Sequence, residues 1–167
     1  MSEPLRPVVR SRSALDEMRV MLGVLRDDQH DDTLPLAPDL ESSLSDLVDT
    51  AREAHFHVTL SISGEPAGSS AARLATLRIA REGLTNAMRY SHHSARIFLA
   101  VTYTDNAIEV SIENNPASVL EPSQGAGYGL KGLEERLAFV GGTLTAGFVA
   151  DSVWRLHALI PKDPTSA

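Results

Sequence analysis

Apolar positions along this chain change their period several times, and each change marks an element. Leu15, Met18, Leu22 and Leu25 recur every three or four residues, so one apolar stripe runs along a helix over 13–26. That stripe covers about two heptads, where a self-sufficient coiled coil needs about three or four. The segment is therefore expected to pack on something else or to be the end of a longer helix. Leu40, Leu44, Leu47, Val48 and Ala51 form a second helical face behind Asp39, a residue type favoured at helix N-caps. At 56–62 the period drops to two: Val58, Leu60 and Ile62 face one way and His57, Thr59 and Ser61 the other, which predicts a half-buried strand. A long helix is expected from Ser70 to Ser91, with Leu74, Leu77, Leu84 and Met88 on its core face.

Alternation then returns twice. Ile97, Leu99 and Val101 share a face, as do Ile108, Val110 and Ile112, with a hairpin turn at Asp105-Asn106. Residues 114–127 (NNPASVLEPSQGAG) are rich in Pro, Gly and Ser and read as a mobile loop. A helix over 128–140 ends at Gly141-Gly142. Two closing strands follow, with Trp154, Leu156, Ala158 and Ile160 on one face. The element order predicts an α+β fold: a two-layer α/β sandwich whose mixed, mostly antiparallel sheet is covered by helices on one face. The division expected is a disordered N-terminus at 1–12, helix end and linker at 13–38, one compact domain at 39–162, and a tail at 163–167.

Composition narrows the function classes. The chain has 167 residues, 43% of them hydrophobic and 22% charged, enough for one core of useful size. Acids outnumber bases 22 to 15, a net charge of −7, which argues against coating nucleic acid through clustered Lys and Arg. With no cysteine, disulfides, thiolate metal sites and Cys nucleophiles are excluded. No apolar run reaches the ~18 residues that a spanning helix needs, and the N-terminus lacks the apolar core of a secretory signal. A cytoplasmic location is expected, either for a free protein or for the cytoplasmic part of a membrane-bound one.

Two segments carry candidate chemistry. In REGLTNAMRYS (81–91), Glu82, Asn86 and Arg89 stand at i, i+4 and i+7 and share one helical face. A Glu can take a proton or orient a nucleophile. An Asn offers a neutral oxygen to a hard cation such as Mg²⁺, and an Arg neutralises phosphate charge. The plainer reading of the same spacing is a solvated helix face. In GAGYGLKGLEERLAFVGG (125–142), Gly125, Gly127, Gly129 and Gly132 lead into a helix. Glycine lets backbone N–H groups approach a phosphate, and a helix N-terminus favours an anion. The plainer reading is a flexible loop with Gly at tight turns. The segment is no P-loop, since no Gly-Lys-Ser/Thr follows. No Gly-x-Ser-x-Gly nucleophile elbow occurs, and the Asp27, Asp28, His30, Asp31, Asp32 run reads as solvated charge.

Taken together and in this order, the two segments resemble the ATP-binding domain of sensor histidine kinases, above all the subfamily paired with helix-turn-helix (NarL/LuxR-type) response regulators. Glu-x-x-x-Asn-Ala-x-Arg matches at Glu82, Asn86, Ala87 and Arg89. Gly-x-Gly-Leu-x-Gly-Leu-x-Glu-Arg matches at Gly127, Gly129, Leu130, Gly132, Leu133, Glu135 and Arg136, followed by Gly141-Gly142. The resemblance spans about residues 40–162 and implies the GHKL (Bergerat) fold shared by gyrase, MutL and the heat-shock ATPase chaperones. It implies ATP and Mg²⁺ as cofactors and assigns roles. Glu82 would be the catalytic base or nucleophile-positioning group, Asn86 the Mg²⁺ ligand, and Arg89 a phosphate contact. Gly125, Gly127, Tyr128, Gly129, Leu130 and Gly132 would form the lid over the triphosphate.

The implied partners are the phosphoacceptor and dimerisation domain of the same kinase and, indirectly, a cognate response regulator, with no direct nucleic acid and no membrane in this segment. Three departures are visible. The Asp that accepts a hydrogen bond from the adenine amino group is replaced by Asn114, whose carbonyl can accept the same bond but must be oriented by neighbours. Pro116 stands where the first Gly of that motif falls, and Tyr90 where His is usual. No upstream helix offers a phosphoacceptor His, so the chain is expected to be a catalytic fragment that does not phosphorylate itself. The alternative is a degenerate kinase-like or anti-sigma-like ATP-binding module that acts by holding a regulatory protein.

Overall fold

A computed structural model describes residues 39–92, 94–116, 126–150 and 152–163. All lie in one compact unit, Pro35–Ala167. The helix and linker expected at 13–38, Gly125 and the residues after 163 lie outside the described residues.

Among the described residues eight elements follow one another: α1 (Leu40–Glu53), β1 (His57–Ser63), α2 (Ser70–Tyr90), β2 (Arg96–Tyr103), β3 (Ala107–Asn114), α3 (Ala126–Ala138), β4 (Thr143–Ala150) and β5 (Val153–Pro161). The five strands make one sheet in the order β1-β2-β3-β5-β4. β1 pairs parallel to β2 and the other pairs are antiparallel. The register stacks one apolar set in rows: Leu60 beside Leu99, Leu99 beside Ile112, and Ile112 beside Leu156. The sheet side with this set is covered by helices. α2 packs on β2, β3 and β5, α1 on β1 and α2, and α3 on β4 and α2. The α+β sandwich with a mixed, mostly antiparallel sheet is therefore observed. The other sheet side carries the alternate residues, such as Glu109, Ser111 and Glu113 opposite Leu159, His157 and Arg155.

Helix α1 buries Leu40, Leu44, Val48 and Ala51, four of the five positions on its expected stripe. Burying Leu44 and Val48 completely removes side chains worth about 1.5–3 kcal/mol each from water. Asp39 does occupy the N-cap position, yet its side chain makes no capping bond. The helix ends in a Schellman turn: Phe56 N–H donates to Ala51 O at 3.1 Å and His55 N–H to Arg52 O at 2.9 Å. His55 takes φ 67° there. It therefore lies in the turn before β1.

Helix α2 departs from its expected core face. Thr76, Ile79, Ala80, Gly83, Leu84, Ala87 and Met88 are buried, whereas Leu74 and Leu77 are only half-buried on the flank. Small residues win the central stripe because the helix lies very close to the sheet: a Cβ on Gly83 would run into Ile112 Cδ1. Apolar size is thus a poor guide here, since the closest approach requires the smallest side chains.

The hairpin between β2 and β3 turns at Asp105-Asn106 as expected, with Thr104 N–H donating to Ala107 O at 2.9 Å. α3 starts at Ala126, two residues before the expected 128, and ends at Ala138. Its end is a second Schellman turn, with Gly142 N–H donating to Leu137 O at 2.9 Å, Gly141 N–H to Ala138 O at 3.0 Å, and Gly141 at φ 73°. The glycine pair does mark the helix end.

Candidate functional site

The site grows from the two ends of α2. Ser69 Oγ accepts from Ala72 N–H at 3.1 Å, which caps the helix start. Twenty-one residues later the helix stops at Tyr90, and Ser91 turns into extended conformation. Seating Gly83 on the sheet leaves the neighbouring Glu82 and the next-turn Asn86 half-buried beside the covered face, and Arg89 exposed one turn further on.

α3 then brings the glycine segment to this face. An ideal Cβ on Gly129 would lie 3.2 Å from Glu82 Oε1. Glycine at 129 therefore lets the α3 backbone sit against the Glu82 carboxylate. This first-turn position also places the carboxylate near the positive end of the helix dipole. The two motifs, separate in the sequence, share one site. Around Gly132, by contrast, an added Cβ meets nothing within 4 Å. The residues expected to form a lid, Gly127, Tyr128, Gly129, Leu130 and Gly132, lie within helix α3. Likewise the expected loop at 114–127 loses Asn114 to β3, and Ala126 and Gly127 to α3. The cause is local: the glycine spacing also fits two helical turns, and Leu133 and Leu137 anchor that helix in the core.

Asn114 is tied to the C-terminal end of α2. It ends β3 with a relative exposure of 3%. Its Nδ2 donates to Ser91 Oγ at 2.8 Å, and its Oδ1 is buried without a hydrogen-bond partner. An isolated bridge between Ser91 and Pro116 ties the chain after β3 to the end of α2. Leaving a buried acceptor unpaired costs about 1–3 kcal/mol, a cost that a donor reaching Asn114 Oδ1 would recover. Ser91 carried no signal in the sequence, because the bond spans 23 residues and depends on how α2 meets β3.

Among the described residues no group of three or more His, Cys, Asp or Glu could hold a metal ion. A cation here would take one or two protein oxygens and complete its shell from phosphate and water, the manner in which Mg²⁺ binds at triphosphate sites. The half-buried Asn86 carboxamide fits that donor set as a single protein oxygen. The surface depression lined by Arg52, His55, His57, Arg96 and Phe98 shares no residue with this site. No helix of the described residues is long and apolar enough to cross a membrane.

Comparison with known proteins places this geometry among relatives. No family model matches the chain. It is 33% identical over 135 residues to the signal transduction histidine-protein kinase/phosphatase UhpB of Salmonella typhimurium. That match covers 81% of this chain and 26% of the relative, so the chain spans about a quarter of the curated relative's length. Among solved structures, the catalytic domain of histidine kinase ThkA superposes with TM-score 0.59 at 16% identity, covering 75% of this chain and 92% of that one. The mycobacterial sensor histidine kinase MprB gives 0.59 at 14%, covering 77% and 99%. Histidine kinase AdeS of Acinetobacter baumannii gives 0.56 at 16%, covering 89% and 76%.

Proposed function

We propose, on the premise that this chain is a histidine-kinase catalytic domain by sequence and by fold, that it binds ATP with Mg²⁺ and directs the γ-phosphoryl group to a histidine on a phosphoacceptor and dimerisation domain of the same kinase. A cognate response regulator would then take the phosphoryl group from that histidine. In this reading residues 39–162 are the ATPase domain and 13–38 the end of the dimerisation helix and its linker.

The observation that carries the reading is the meeting of Glu82 with Gly129. It joins a carboxylate able to take a proton to a helix start able to face phosphate oxygens. Glu82 accepts the proton of the attacking imidazole, while the new N–P bond forms and the bond to the ADP oxygen breaks. Asn86 would hold the cation through its carboxamide oxygen, and Arg89 would pair with phosphate. The backbone of 127–130, with Gly125 and Gly132, would face the triphosphate, and Asn114 Oδ1 would accept from the base. Mg²⁺ supplies neutralisation of the triphosphate charge. Phosphoryl transfer of this kind needs positioning and charge compensation more than covalent help from the protein.

Calorimetric titration with ATP and Mg²⁺, followed by labelled ATP with a phosphoacceptor-helix domain supplied in trans, tests this. Binding is expected, with label on the acceptor domain that disappears in Glu82→Ala while nucleotide still binds. No heat and no thermal shift at millimolar nucleotide would overturn the ATP-site reading, and binding without any transfer would overturn the kinase reading.

A further inference from the structure

Asn114 is a carboxamide facing a hydroxyl, and that pair has a property a carboxylate lacks. In the arrangement observed, Asn114 Nδ2 donates to Ser91 Oγ at 2.8 Å and the buried Oδ1 makes no hydrogen bond. Rotating the amide by half a turn exchanges Oδ1 and Nδ2 without moving any other heavy atom. Ser91 then donates its O–H to Oδ1, and Nδ2 is left free to donate. A serine hydroxyl is both donor and acceptor and its proton rotates, so either arrangement keeps the Asn114–Ser91 bond. Among the described residues no other hydrogen bond of the Ser91 hydroxyl opposes the exchange. Aspartate at the same place offers acceptors alone.

We propose that the Asn114–Ser91 pair makes this site accept both 6-amino and 6-oxo purine nucleoside triphosphates. The proposal rests on the ATP-site reading above. A 6-amino base donates to Oδ1, and a 6-oxo base accepts from Nδ2 after the amide exchange. Base selection by a buried polar contact is strong where the wrong ligand leaves that contact unpaired or opposes two acceptors, and weak where the protein group can match either. Burial at 3% exposure makes the contact matter, because solvent cannot substitute for the missing partner.

The experiment is calorimetric titration of the full chain with Mg²⁺ and either ATP or ITP, which differ at the 6-position and its neighbouring N1 proton. The native protein is expected to bind the two within about ten-fold of each other. Asn114→Asp should keep ATP and lose at least a further ten-fold for ITP, as an acceptor then faces an acceptor. Asn114→Leu keeps the volume without polar atoms and should weaken both nucleotides by a similar factor. Rejection of ITP by the native protein as strong as that shown by Asn114→Asp overturns the proposal. So does an Asn114→Leu variant that loses ATP but not ITP, a result that decides the matter even if the Asp variant fails to fold. Absence of binding by either nucleotide strikes the ATP-site reading itself and is told apart by that absence.

Discussion

Gly129 shows at the level of one residue how stability and function part company. Replacing a helical glycine by alanine stabilises a helix by about 0.8–1 kcal/mol. Here the new methyl would stand 3.2 Å from Glu82 Oε1, so the carboxylate must give way by a few tenths of an ångström. Gly129→Ala is therefore expected to leave the melting temperature equal or higher while lowering phosphoryl transfer in the trans assay about ten-fold or more, a displacement effect on positioning. Tyr103 gives a residue-scale prediction of another kind. Burial, then the negative charges of Glu41 and Asp39, raise its pKa above the ordinary 10.0, with Arg73 acting the other way. The fold thus favours the neutral phenol. Its contribution is complete below pH 10 and is lost as pH rises through the higher folded pKa, because the unfolded chain releases the proton first. Alkaline denaturation should show this loss above pH 10 in the native protein and a shallower one in Tyr103→Phe.

At the scale of elements, ends and close approaches decide more than stripes. α1 ends with His55 in the left-handed region, a conformation that costs a side chain about 1–2 kcal/mol and that glycine adopts freely. His55→Gly should raise stability by about 0.5–1 kcal/mol in denaturant titration, net of the entropy that glycine adds to the unfolded chain. α2 is defined by its contact with β3 at Gly83. Gly83→Ala should destabilise by about 1–3 kcal/mol, since the methyl overlaps Ile112 Cδ1. Ile112→Val removes that atom, so the double variant should be more stable than the sum of the single changes predicts, a coupling that a double-mutant cycle measures. The sequence pattern located α2 to within a residue and named Leu84 and Met88 correctly, but put Leu74 and Leu77 at its centre in place of the smaller residues that lie there. Periodicity reports which side is apolar but is silent on how near two backbones come.

At the scale of the whole molecule, the sheet order β1-β2-β3-β5-β4 and the cover of three helices make one unit from Pro35 to Ala167. Its core joins α1, α2, α3 and all five strands through buried or partly buried apolar side chains, from Leu44 to Ile160. A chain of residues 35–167 should therefore unfold in one cooperative transition, read by coincident far-UV and near-UV signals, and should retain whatever nucleotide binding the full chain shows. A broad or probe-dependent transition would contradict that unity.

The sequence by itself determined the elements, their order and the type of chemistry on offer. Alternation and helical period are local consequences of which side chains leave water, and Glu82, Asn86 and Arg89 share a face through helix geometry alone. The meeting of Glu82 with Gly129 and the grip of Ser91 on Asn114 were decided by tertiary structure alone. Both join residues far apart in the chain, across surfaces whose separation depends on packing. That packing leaves Asn114 Oδ1 buried and unpartnered beside the Ser91 hydroxyl, a pairing that no local pattern in the sequence announces.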